Sequence, residues 1–332
     1  MTGTMMTLFL SEGDVRAVLP MPDLIAAMER ALAEYSAGRV VQPVRTVLEV
    51  GPDHAFFGLM PAALENPPIV GAKLVTVYHR NHERGLPSHL ATIVLMDPET
   101  GALAAIMDGR YITEARTAAV SAVSVKHLAK PDATTLAVVG SGVQARSHIE
   151  AIRHVRPLTD VRVWSPHAEH RDTCAREAAL ATGLAVRPAA DARTAVHGAD
   201  IVVLATSSRT PVVDDRDVGA GAHICAVGAC RPDQREMPSA LVARAHLVVD
   251  SRAGALKEAG DLLLAIEEGV VTDRHIAGEL GELVAGGPAA RRTPHQVTIF
   301  KSLGMAVEDV VAANVAFARA REQGLGQRLG LA

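Results

Sequence analysis

The stretch TTLAVVGSGVQA, residues 134–145, decides the fold. An apolar, β-branched run leads directly into Gly-x-Gly-x-x-Ala and then into a helix-compatible segment, which is the strand, tight turn and helix start that bind a dinucleotide pyrophosphate. Gly140 allows the turn, Gly142 lets the pyrophosphate approach the backbone, and Ala145 lets the helix pack close to the strand. Taken alone, the pattern also fits a tight turn without a ligand, so the flanking sequence has to decide.

The second half of the chain alternates strand and helix patterns. Apolar runs at about 134–139, 161–164, 184–187, 201–204, 223–227 and 246–249 are separated by helix-compatible stretches. This alternation is typical of a doubly wound parallel sheet. The sequence therefore predicts an α/β Rossmann-type domain in which the glycine turn follows the first strand.

The end of the second predicted strand bears on the choice of cofactor. NAD-selective sites usually place an acid there for the ribose 2'-hydroxyl. Here Ser165 stands at that point, with His167 and Arg171 nearby and no carboxylate before Glu169. The interpretation is NAD(P)(H) with a preference for NADP(H), and Ser165, His167 and Arg171 are predicted cofactor contacts. An ordinary polar surface loop is the alternative.

Two later segments complete the predicted cofactor site. Thr206 and Ser207 follow the fourth strand, at the sheet edge where a dinucleotide lies. Cys230 is in the loop after the fifth strand, which would face the nicotinamide, so it is a candidate for the reaction centre. The alternative is a small filler residue, because no sequence feature would activate the thiol.

Composition limits the possible partners. The chain has 332 residues, enough for two domains, and its net charge of -4, its 3% aromatic content and its lack of long basic runs argue against nucleic acid or an anionic membrane. Three cysteines without metal-ligand spacing predict neither a disulfide framework nor a metal site, which favours the cytoplasm. No signal peptide or 18-residue apolar run is found, so no membrane span is expected.

The first part of the chain predicts helices and then short strands. Ser11 is expected to cap a short helix, a second helix covers about 22–37, and β-rich runs follow at 44–50, 55–59, 69–77, 90–97 and 102–107. Three cations interrupt the strand patterns or follow turns: Arg45, Lys73 and, as a weaker candidate, His89. They form either a solvated strand face or a floor that binds a carboxylate. The tail from Gly324 carries turn and disorder signals.

Arg116 stands out in the segment 108–120. Thr113 is a good helix cap, which would put Arg116 in the first turn of an Ala-rich helix, where a cation opposes the helix dipole. An anion between the guanidinium and the free amides would explain that position. We therefore predict a ligand carboxylate here, with a surface role as the alternative.

These blocks, and others in order along nearly the whole chain, resemble the ornithine cyclodeaminase and mu-crystallin family. The resemblance is stronger to its ketimine-reducing mu-crystallin branch. The blocks are QPVRT (42–46), LMPA (59–62), KLVT (73–76), PSH (87–89), MDG (107–109), ITEARTAA (112–119), GVQA (142–145), VGACRPD (227–233) and FKSLGMAVED (300–309).

The resemblance implies an arrangement and a set of contacts. Residues 1–125 and the final helices from about Phe300, 300–332, would form an α+β substrate-binding and dimerisation domain, with a Rossmann domain at 126–299 inserted, in a homodimer. Substrate contacts would fall on Arg45, Lys73 and Arg116. Cofactor contacts would fall on Gly140, Gly142, Val143, Gln144, the loop after Trp164, residues 205–207, Val227, and the segment containing Ser302 and Gly304.

Two departures from the cyclodeaminase branch favour a reductase. Cyclodeaminases carry an acid at the position of Cys230 and another at that of Gly58, and this chain has neither. The expected reaction is therefore NAD(P)H-dependent reduction of a carboxylate-bearing imine, such as pyrroline-2-carboxylate or piperideine-2-carboxylate, to an L-amino acid.

In that reaction Arg45 and Arg116 would hold the substrate carboxylate. Lys73, with its pKa lowered by the neighbouring guanidiniums, would supply the imine proton. Cys230 would shape the imine pocket or hold a water.

Three alternatives stay open. The chain could be a cyclodeaminase that uses catalytic NAD. It could instead reduce open-chain imines, as amino acid dehydrogenases of alanine or aspartate type do, with His79, Arg80 and His82 meeting a second carboxylate. Finally, it could bind a nucleotide without catalysis.

Overall fold

The computed structural model describes residues 6–51, 55–287 and 290–330. The chain divides into unit 1, Met1–Arg116 with Met305–Ala332, and unit 2, Thr117–Gly304. The sequence placed its boundaries at 125/126 and 299/300. The assignment of substrate binding and dimerisation to one domain and cofactor binding to the other stays a prediction.

In the N-terminal part, two helices are followed by a series of strands, as the sequence pattern indicates. Its elements are β1 (Met6–Leu10), α1 (Glu12–Val18), α2 (Met21–Ser36), β2 (Val40–Val41), β3 (Thr46–Val50), β4 (Ala55–Glu65), β5 (Pro68–Val77), a 3-10 helix (His79–Arg84), β6 (His89–Met96), β7 (Leu103–Asp108) and α3 (Arg110–Leu128). The predicted cap is confirmed, because the Ser11 side chain accepts from the Asp14 amide and Asp14 accepts from the Ser11 amide.

The middle of the chain repeats strand and helix. Its elements are β8 (Thr135–Val139), α4 (Val143–Ile152), β9 (Asp160–Trp164), α5 (Ala168–Thr182), β10 (Val186–Pro188), α6 (Ala192–Val196), β11 (Ile201–Leu204), β12 (His223–Ala226), α7 (Ser239–Arg244), β13 (His246–Val249), α8 (Arg252–Glu258), α9 (Gly260–Glu267), β14 (Ile276–Glu279), α10 (Leu280–Val284) and β15 (Thr298–Lys301). The chain ends with α11 (Ala306–Gln323) and β16 (Gln327–Gly330).

Unit 1 is organised around a mixed sheet with the strand order β16-β1-β7-β6-β5-β4-β2, and β3 also pairs with β4. Only β1 and β7 run parallel among these pairs. Helix α11 packs against α2 and β5. Leu24, Met28 and Leu32 recur every four residues on α2 and are fully buried, so this helix presents one apolar stripe to the core.

Unit 2 contains a parallel sheet with the order β10-β9-β8-β11-β12-β15-β13-β14. Alternate residues of β8 belong to two different apolar cores: Ala137 and Val139 to one, Leu136 and Val138 to the other. Both faces of the sheet are therefore covered, which explains why its strands are continuously apolar. The predicted doubly wound Rossmann-type α/β fold is confirmed.

Two strands of this sheet were missed in the sequence. β14 and β15 are four residues each, and β15 lies between β12 and β13. The expectation that final helices begin at about Phe300 is wrong at that residue, because Phe300 is fully buried in β15. A four-residue apolar run has no periodicity that separates a buried strand from a helix start.

Two further expectations for unit 1 are wrong. The tail is not disordered where the structure describes it, because β16 pairs antiparallel with β1. Thr113 is not a cap: α3 begins at Arg110, whose amide donates to Asp108 Oδ1 over 2.9 Å, and the Thr113 hydroxyl donates to the Gly109 carbonyl. No helix in the described parts of the chain has the length and apolar character that crossing a bilayer requires.

Candidate active site

Lys73 is a buried cation of unit 1. Strand β5 buries every second residue, and Lys73 occupies one of these inward positions, between Gly71 and Val75, with 2% of its surface exposed. Its Nζ lies 2.6 Å from Asp309 Oδ2 and donates to Thr113 Oγ1 over 3.4 Å. A solvated strand face therefore does not describe Lys73.

Arg116 is buried beside two carboxylates. Its Nη1 lies 2.6 Å from Glu308 Oε2, and its Nε lies 2.9 Å from Asp309 Oδ1. The reasoning that placed an anion beside Arg116 is wrong in its premise, because α3 begins at Arg110 and Arg116 is in the second turn. The anion that pairs with it in this structure belongs to the chain itself.

Glu308 and Asp309 are supplied by the first turn of α11, where the helix dipole favours carboxylates. Both side chains are fully buried. The start of this helix has no cap from Met305, but Gln42 Oε1 accepts from the Val307 amide over 2.8 Å. The loop that carries Gln42 and Arg45 thereby fixes the turn that positions the two acids.

The charges in this cluster set the pKa of Lys73. Burial is the main cause that lowers this pKa; Asp309 opposes the shift and the positive charges of Arg116 and Arg45 add to it, which together leaves the pKa at about 8. The predicted direction is correct, although burial and not the guanidiniums is the main cause. Burial would raise the pKa of Asp309, but Arg116 and Lys73 outweigh it and keep the carboxylate ionised.

His89 is close enough to respond to the same cations. It begins β6 and is half-buried. Burial, Lys73 and Arg116 together lower its pKa to about 4. The imidazole is therefore neutral at pH 7 and adds a polar group, not a further charge, to the cluster of Lys73, Arg116, Glu308 and Asp309, which we call the cation cluster.

In unit 2, the glycine turn has the geometry that a pyrophosphate requires. Gly140 has φ +124°, and a Cβ there would lie 2.4 Å from the Ala205 carbonyl oxygen. Gly142 is the extended residue before α4, and a Cβ there would meet nothing within 4 Å. The position directly before α4 therefore has room for a ligand beside the helix N-terminus. These residues fit a bound dinucleotide.

Val143 and Gln144 occupy the first turn of α4. Val143 is 45% exposed, which is unusual for a branched apolar side chain at the start of a buried helix. The buried Gln144 Oε1 has no hydrogen-bond partner among the described residues. Both side chains are consistent with a ligand contact at this turn, and their role stays a prediction.

The end of β9 has no carboxylate up to α5. Ser165 is buried and donates to the His167 carbonyl over 3.3 Å. His167 precedes α5, and its ring lies 5.3 Å from that of His170. Arg171 lies 3.7 Å from Asp172 and reaches the Ala190 carbonyl. The segment is polar and carries positive charge, as the sequence indicated.

The loops after β11 and β12 contain the next predicted contacts. The Thr206 amide and hydroxyl donate to Glu236, whereas Ser207 is exposed. Val227 is buried, with its amide bound to the Leu204 carbonyl. Cys230 is half-buried, and its thiol donates to the Val227 carbonyl over 3.3 Å. These residues therefore stand at the carboxyl edge of the sheet.

Ser302 and Gly304 follow β15 at the same edge. The Ser302 amide donates to the Ala226 carbonyl, while its buried Oγ has no hydrogen-bond partner in the described parts of the chain. Gly304 has φ +81°, and its amide donates to Asp250 Oδ2 over 2.8 Å. A hydroxyl without a partner at this edge fits a cofactor contact.

Five charged residues of these regions had no assigned role in the sequence. Glu308 and Asp309 belong to the cation cluster, and Glu236, Asp261 and Lys301 form a second buried cluster in unit 2. Asp261 is 2% exposed, so it is buried and is not a solvated helix end. The sequence does contain one signal for the second buried cluster, because Lys301 is a charged residue at the end of an apolar strand pattern.

The sequence profile of the Ornithine cyclodeaminase/mu-crystallin family matches residues 5–324. Ketimine reductase mu-crystallin from Rattus norvegicus is 42% identical over 313 residues, which are 93% of this chain and 96% of that protein.

Two solved structures are similar over almost the whole chain. Thermococcus litoralis Delta(1)-pyrroline-2-carboxylate reductase in complex with NADH and L-proline is 38% identical, with a TM-score of 0.95 over 97% of this chain and 100% of that one. An archaeal alanine dehydrogenase dimer with bound NAD is 29% identical, with a TM-score of 0.93 over 99% and 100%.

Proposed function

Because the chain belongs to the ornithine cyclodeaminase/mu-crystallin family, we propose that it reduces a carboxylate-bearing imine to an L-amino acid with NAD(P)H. Pyrroline-2-carboxylate and piperideine-2-carboxylate are the first substrates we assign. The observation that carries this proposal is the buried pair of Lys73 and Arg116, held in unit 1 by Glu308 and Asp309. Relatives named for ketimine and pyrroline-2-carboxylate reduction support it.

Arg116 and Arg45 are assigned to the substrate carboxylate. Glu308 and Asp309 engage Nη1 and Nε of Arg116, so Nη2 is the nitrogen we assign to the substrate. Within the cluster, two cations face two carboxylates, and the charge of Arg45 also reaches Lys73. A substrate carboxylate would bind the guanidinium groups of Arg116 and Arg45, which favours an anionic substrate over a neutral imine.

Lys73 is assigned the proton that the imine nitrogen needs. An imine accepts hydride readily only when it is protonated. With a pKa of about 8, Nζ carries a proton at neutral pH and releases it more easily than an exposed lysine does. Asp309, 2.6 Å away, keeps the ammonium in one position.

Unit 2 is assigned the dinucleotide. When bound, NAD(P)H supplies the hydride. Gly140, Gly142, Val143 and Gln144 would hold the pyrophosphate at the start of α4. Thr206, Ser207, Val227, Ser302 and Gly304 would line the nicotinamide side, where Cys230 would shape the imine pocket.

A preference for NADP(H) is the finer part of the cofactor proposal. Ser165 takes the place where a carboxylate would repel a 2'-phosphate. The positive charge of Arg171 and the adjacent His167 favour the same phosphate. The two solved structures compared above contain NADH and NAD, so the preference rests on these three residues.

A homodimer is part of the proposal. Every residue of β3 is exposed, and Val47 and Leu48 expose 48% and 57% of their surface to solvent. Exposed apolar strands are normally covered by a partner, and a related alanine dehydrogenase is a dimer. We propose a reducing compartment such as the cytoplasm, because none of Cys174, Cys225 and Cys230 is in a disulfide.

The cyclodeaminase alternative is disfavoured by two positions. Cys230 and Gly58 stand where that branch has acids, and a Cβ at residue 58 would lie only 2.9 Å from Val75 Cγ1. The open-chain alternative is favoured by the similarity to an alanine dehydrogenase. The form of this alternative in which Arg80 binds a second substrate carboxylate is less well supported, because Arg80 already pairs with Glu83 over 2.9 Å. His79 shares that 3-10 helix, and the side chain of His82 lies outside the described residues.

A substrate panel tests the proposal. Oxidation of NADH and of NADPH is followed with pyrroline-2-carboxylate, with piperideine-2-carboxylate, and with pyruvate plus ammonia. We expect turnover of at least one cyclic imine, with NADPH preferred. Turnover with pyruvate and ammonia alone would select the open-chain alternative, and release of ammonia from ornithine or lysine without added reductant would select the cyclodeaminase. Cofactor binding without any turnover would contradict an enzymatic role.

A further inference from the structure

Unit 2 contains three charged side chains that the proposed reaction does not use. Glu236, Asp261 and Lys301 are 0%, 2% and 1% exposed, and we call them the buried triad. Lys301 Nζ lies 3.0 Å from Asp261 Oδ2. Burying charges in this way costs free energy compared with apolar packing. The hydrogen bonds of Glu236 and Asp261 indicate which loops these buried charges hold together.

Glu236 joins two loops at the carboxyl edge of the sheet. Its Oε1 accepts from the Thr206 amide over 2.6 Å and from the Thr206 hydroxyl over 2.8 Å, and its Oε2 accepts from the Gly228 amide over 2.7 Å. A Cβ at Gly228 would lie 2.1 Å from the Thr206 carbonyl oxygen. The loops after β11 and β12 thus approach each other closely across this carboxylate.

Asp261 fixes the other end of the same segment. Its Oδ1 accepts from the amides of Glu236 and Met237, over 2.7 and 3.1 Å. At the neighbouring Gly260, a Cβ would lie 1.9 Å from the Gln234 carbonyl oxygen. The segment 228–237, which includes Cys230, is therefore held at both ends by carboxylates of the buried triad.

The ionised form of Glu236 suits these contacts. Three donors converge on its two oxygens, and only the Thr206 hydroxyl could rotate to accept a proton from a neutral carboxyl group. Burial and the negative charge of Asp261 raise the pKa of Glu236 to about 7, whereas Lys301 lowers it. Asp261, Cys230 and Glu236 in turn raise the pKa of Lys301 against the effect of burial. Protonation near neutral pH therefore weakens an amide contact of at least one loop, even where the Thr206 hydroxyl rotates to accept the proton.

We propose that Glu236 is a positioning residue for the cofactor edge, whose carboxylate ties the Thr206 loop to the Gly228 loop and, with Asp261 and Lys301, holds Cys230 in place. The inference rests on the proposed function, because that function assigns the dinucleotide to these loops. It adds a pH dependence of cofactor binding, in which affinity weakens as Glu236 takes up a proton.

The test compares NADH binding by the full chain and by two variants. Glu236→Gln mimics the neutral acid at constant shape. Glu267→Gln removes the same charge from an exposed position on α9 and is the matched control. Dissociation constants are measured by fluorescence titration from pH 6 to 8.5. NADH is used because it lacks a 2'-phosphate that would titrate in this range.

For the wild type and Glu267→Gln, we expect affinity to weaken as pH falls through about 7. Glu236→Gln should bind about tenfold more weakly at pH 8, as expected for loss of a charge-assisted hydrogen bond, and with little pH dependence. In the free chain, the amides of Thr206 and Gly228 should exchange with deuterium faster in this variant than in the control. Equal affinity and equal pH dependence in all three proteins would overturn the inference.

A second variant and the cofactor binding of the wild type separate the possible outcomes of this test. Thr206→Val removes one donor and leaves the carboxylate charged, so it should weaken NADH binding by about threefold even if Glu236→Gln does not fold. An unchanged dissociation constant in this variant also counts against the inference. If the wild type binds neither NADH nor NADPH, the proposed function fails instead. The two failures are therefore distinct.

Discussion

Asp309 is the side chain through which the two buried cations of unit 1 are linked. It binds Lys73 with one oxygen and Arg116 with the other, over 2.6 and 2.9 Å. A buried cation without such a partner would be strongly destabilising. The same pairing fixes both cations in one geometry, which a carboxylate-binding site requires.

Replacement of Arg116 should affect both stability and catalysis. Arg116→Ala leaves Glu308 and Asp309 buried with less compensating charge, so we expect a loss of about 3–5 kcal/mol in the free energy of unfolding. We also expect a higher KM together with a lower kcat, because carboxylate binding and substrate alignment share this residue. Urea denaturation and steady-state kinetics measure the two effects.

The matched control is Arg110→Ala on the same helix. Arg110 pairs with Glu12 in a partly exposed position, so its removal should cost about 1 kcal/mol or less. An Arg116→Ala variant with unchanged kcat/KM would remove Arg116 from the substrate site.

The pH dependence of kcat reports on Lys73. The folded protein lowers the pKa of this group to about 8, so Nζ is protonated below that pH and loses its proton above it. A proton donor of this kind predicts that kcat falls as pH rises through about 8. Lys73→Arg keeps the positive charge but holds its proton, so kcat should fall about 100-fold while KM changes little. A Lys73→Arg variant with the wild-type kcat would exclude Lys73 as the donor.

Single residues were predictable where they broke a local pattern. Lys73 was selected because it interrupts an apolar strand pattern. Arg116 was selected because a cation in the first helical turn would oppose the helix dipole, and that premise is wrong because α3 begins at Arg110. Their carboxylate partners could not be paired with them from the sequence, because Arg116 is separated from Glu308 and Asp309 by 192 and 193 positions. Such a pairing follows only from tertiary structure.

The turn between β8 and α4 is the element on which the proposed cofactor binding depends. Its two positions are occupied by glycine for different physical reasons. Gly140 is required by the fold, since its φ is +124° and the Ala205 carbonyl leaves no room for a Cβ. A Cβ at Gly142 would meet open space, so the fold does not require this glycine, and we propose that its lack of a side chain serves the pyrophosphate.

Alanine at these two positions should therefore give different results. Gly140→Ala should destabilise the chain by about 2 kcal/mol or more, because it combines backbone strain with a steric clash. Gly142→Ala should leave the melting temperature nearly unchanged and weaken NADPH binding by about tenfold. Thermal denaturation and fluorescence titration measure the two quantities. If Gly142→Ala binds NADPH as the wild type does, the pyrophosphate does not lie on this turn.

At the scale of secondary-structure elements, the sequence predicted a parallel sheet but not all of its strands. Strand and helix alternation was sufficient for β8–β13. The insertion of β15 between β12 and β13 was not predictable, because a return to the middle of a sheet leaves no local mark on a four-residue apolar run. The start of α3 was misplaced because the hydroxyl of Thr113 bonds within the helix instead of capping it.

For the molecule as a whole, the exposed edge of unit 1 predicts association. Strand β3 pairs with β4 and presents apolar residues to solvent. Leu48→Glu should convert a dimer to a monomer in sedimentation equilibrium, because a buried carboxylate without a partner is costly. The matched control is Leu180→Glu, at a position on α5 of unit 2 that is 81% exposed and should not alter the mass. A wild-type monomer, or an unchanged dimer of Leu48→Glu, would contradict a β3 interface.

The overall organisation was predictable from the family resemblance more than from physical patterns. Alternation along the chain indicates a Rossmann-type domain, but nothing local indicates that the C-terminal helix α11 returns to the sheet of the N-terminal part. That return places the two acids beside Lys73 and Arg116. Long-range packing of this kind is the information that a single sequence does not contain.

The most direct measurement is the identity and amount of the product formed from pyrroline-2-carboxylate and piperideine-2-carboxylate. With NADPH or NADH present, we expect L-proline or L-pipecolate in a one-to-one ratio to the cofactor oxidised, determined by chiral chromatography. Lys73→Arg should bind the cofactor as tightly as the wild type but form the product about 100-fold more slowly. Consumption of neither imine by a wild-type chain that binds the cofactor would contradict imine reduction at the cation cluster.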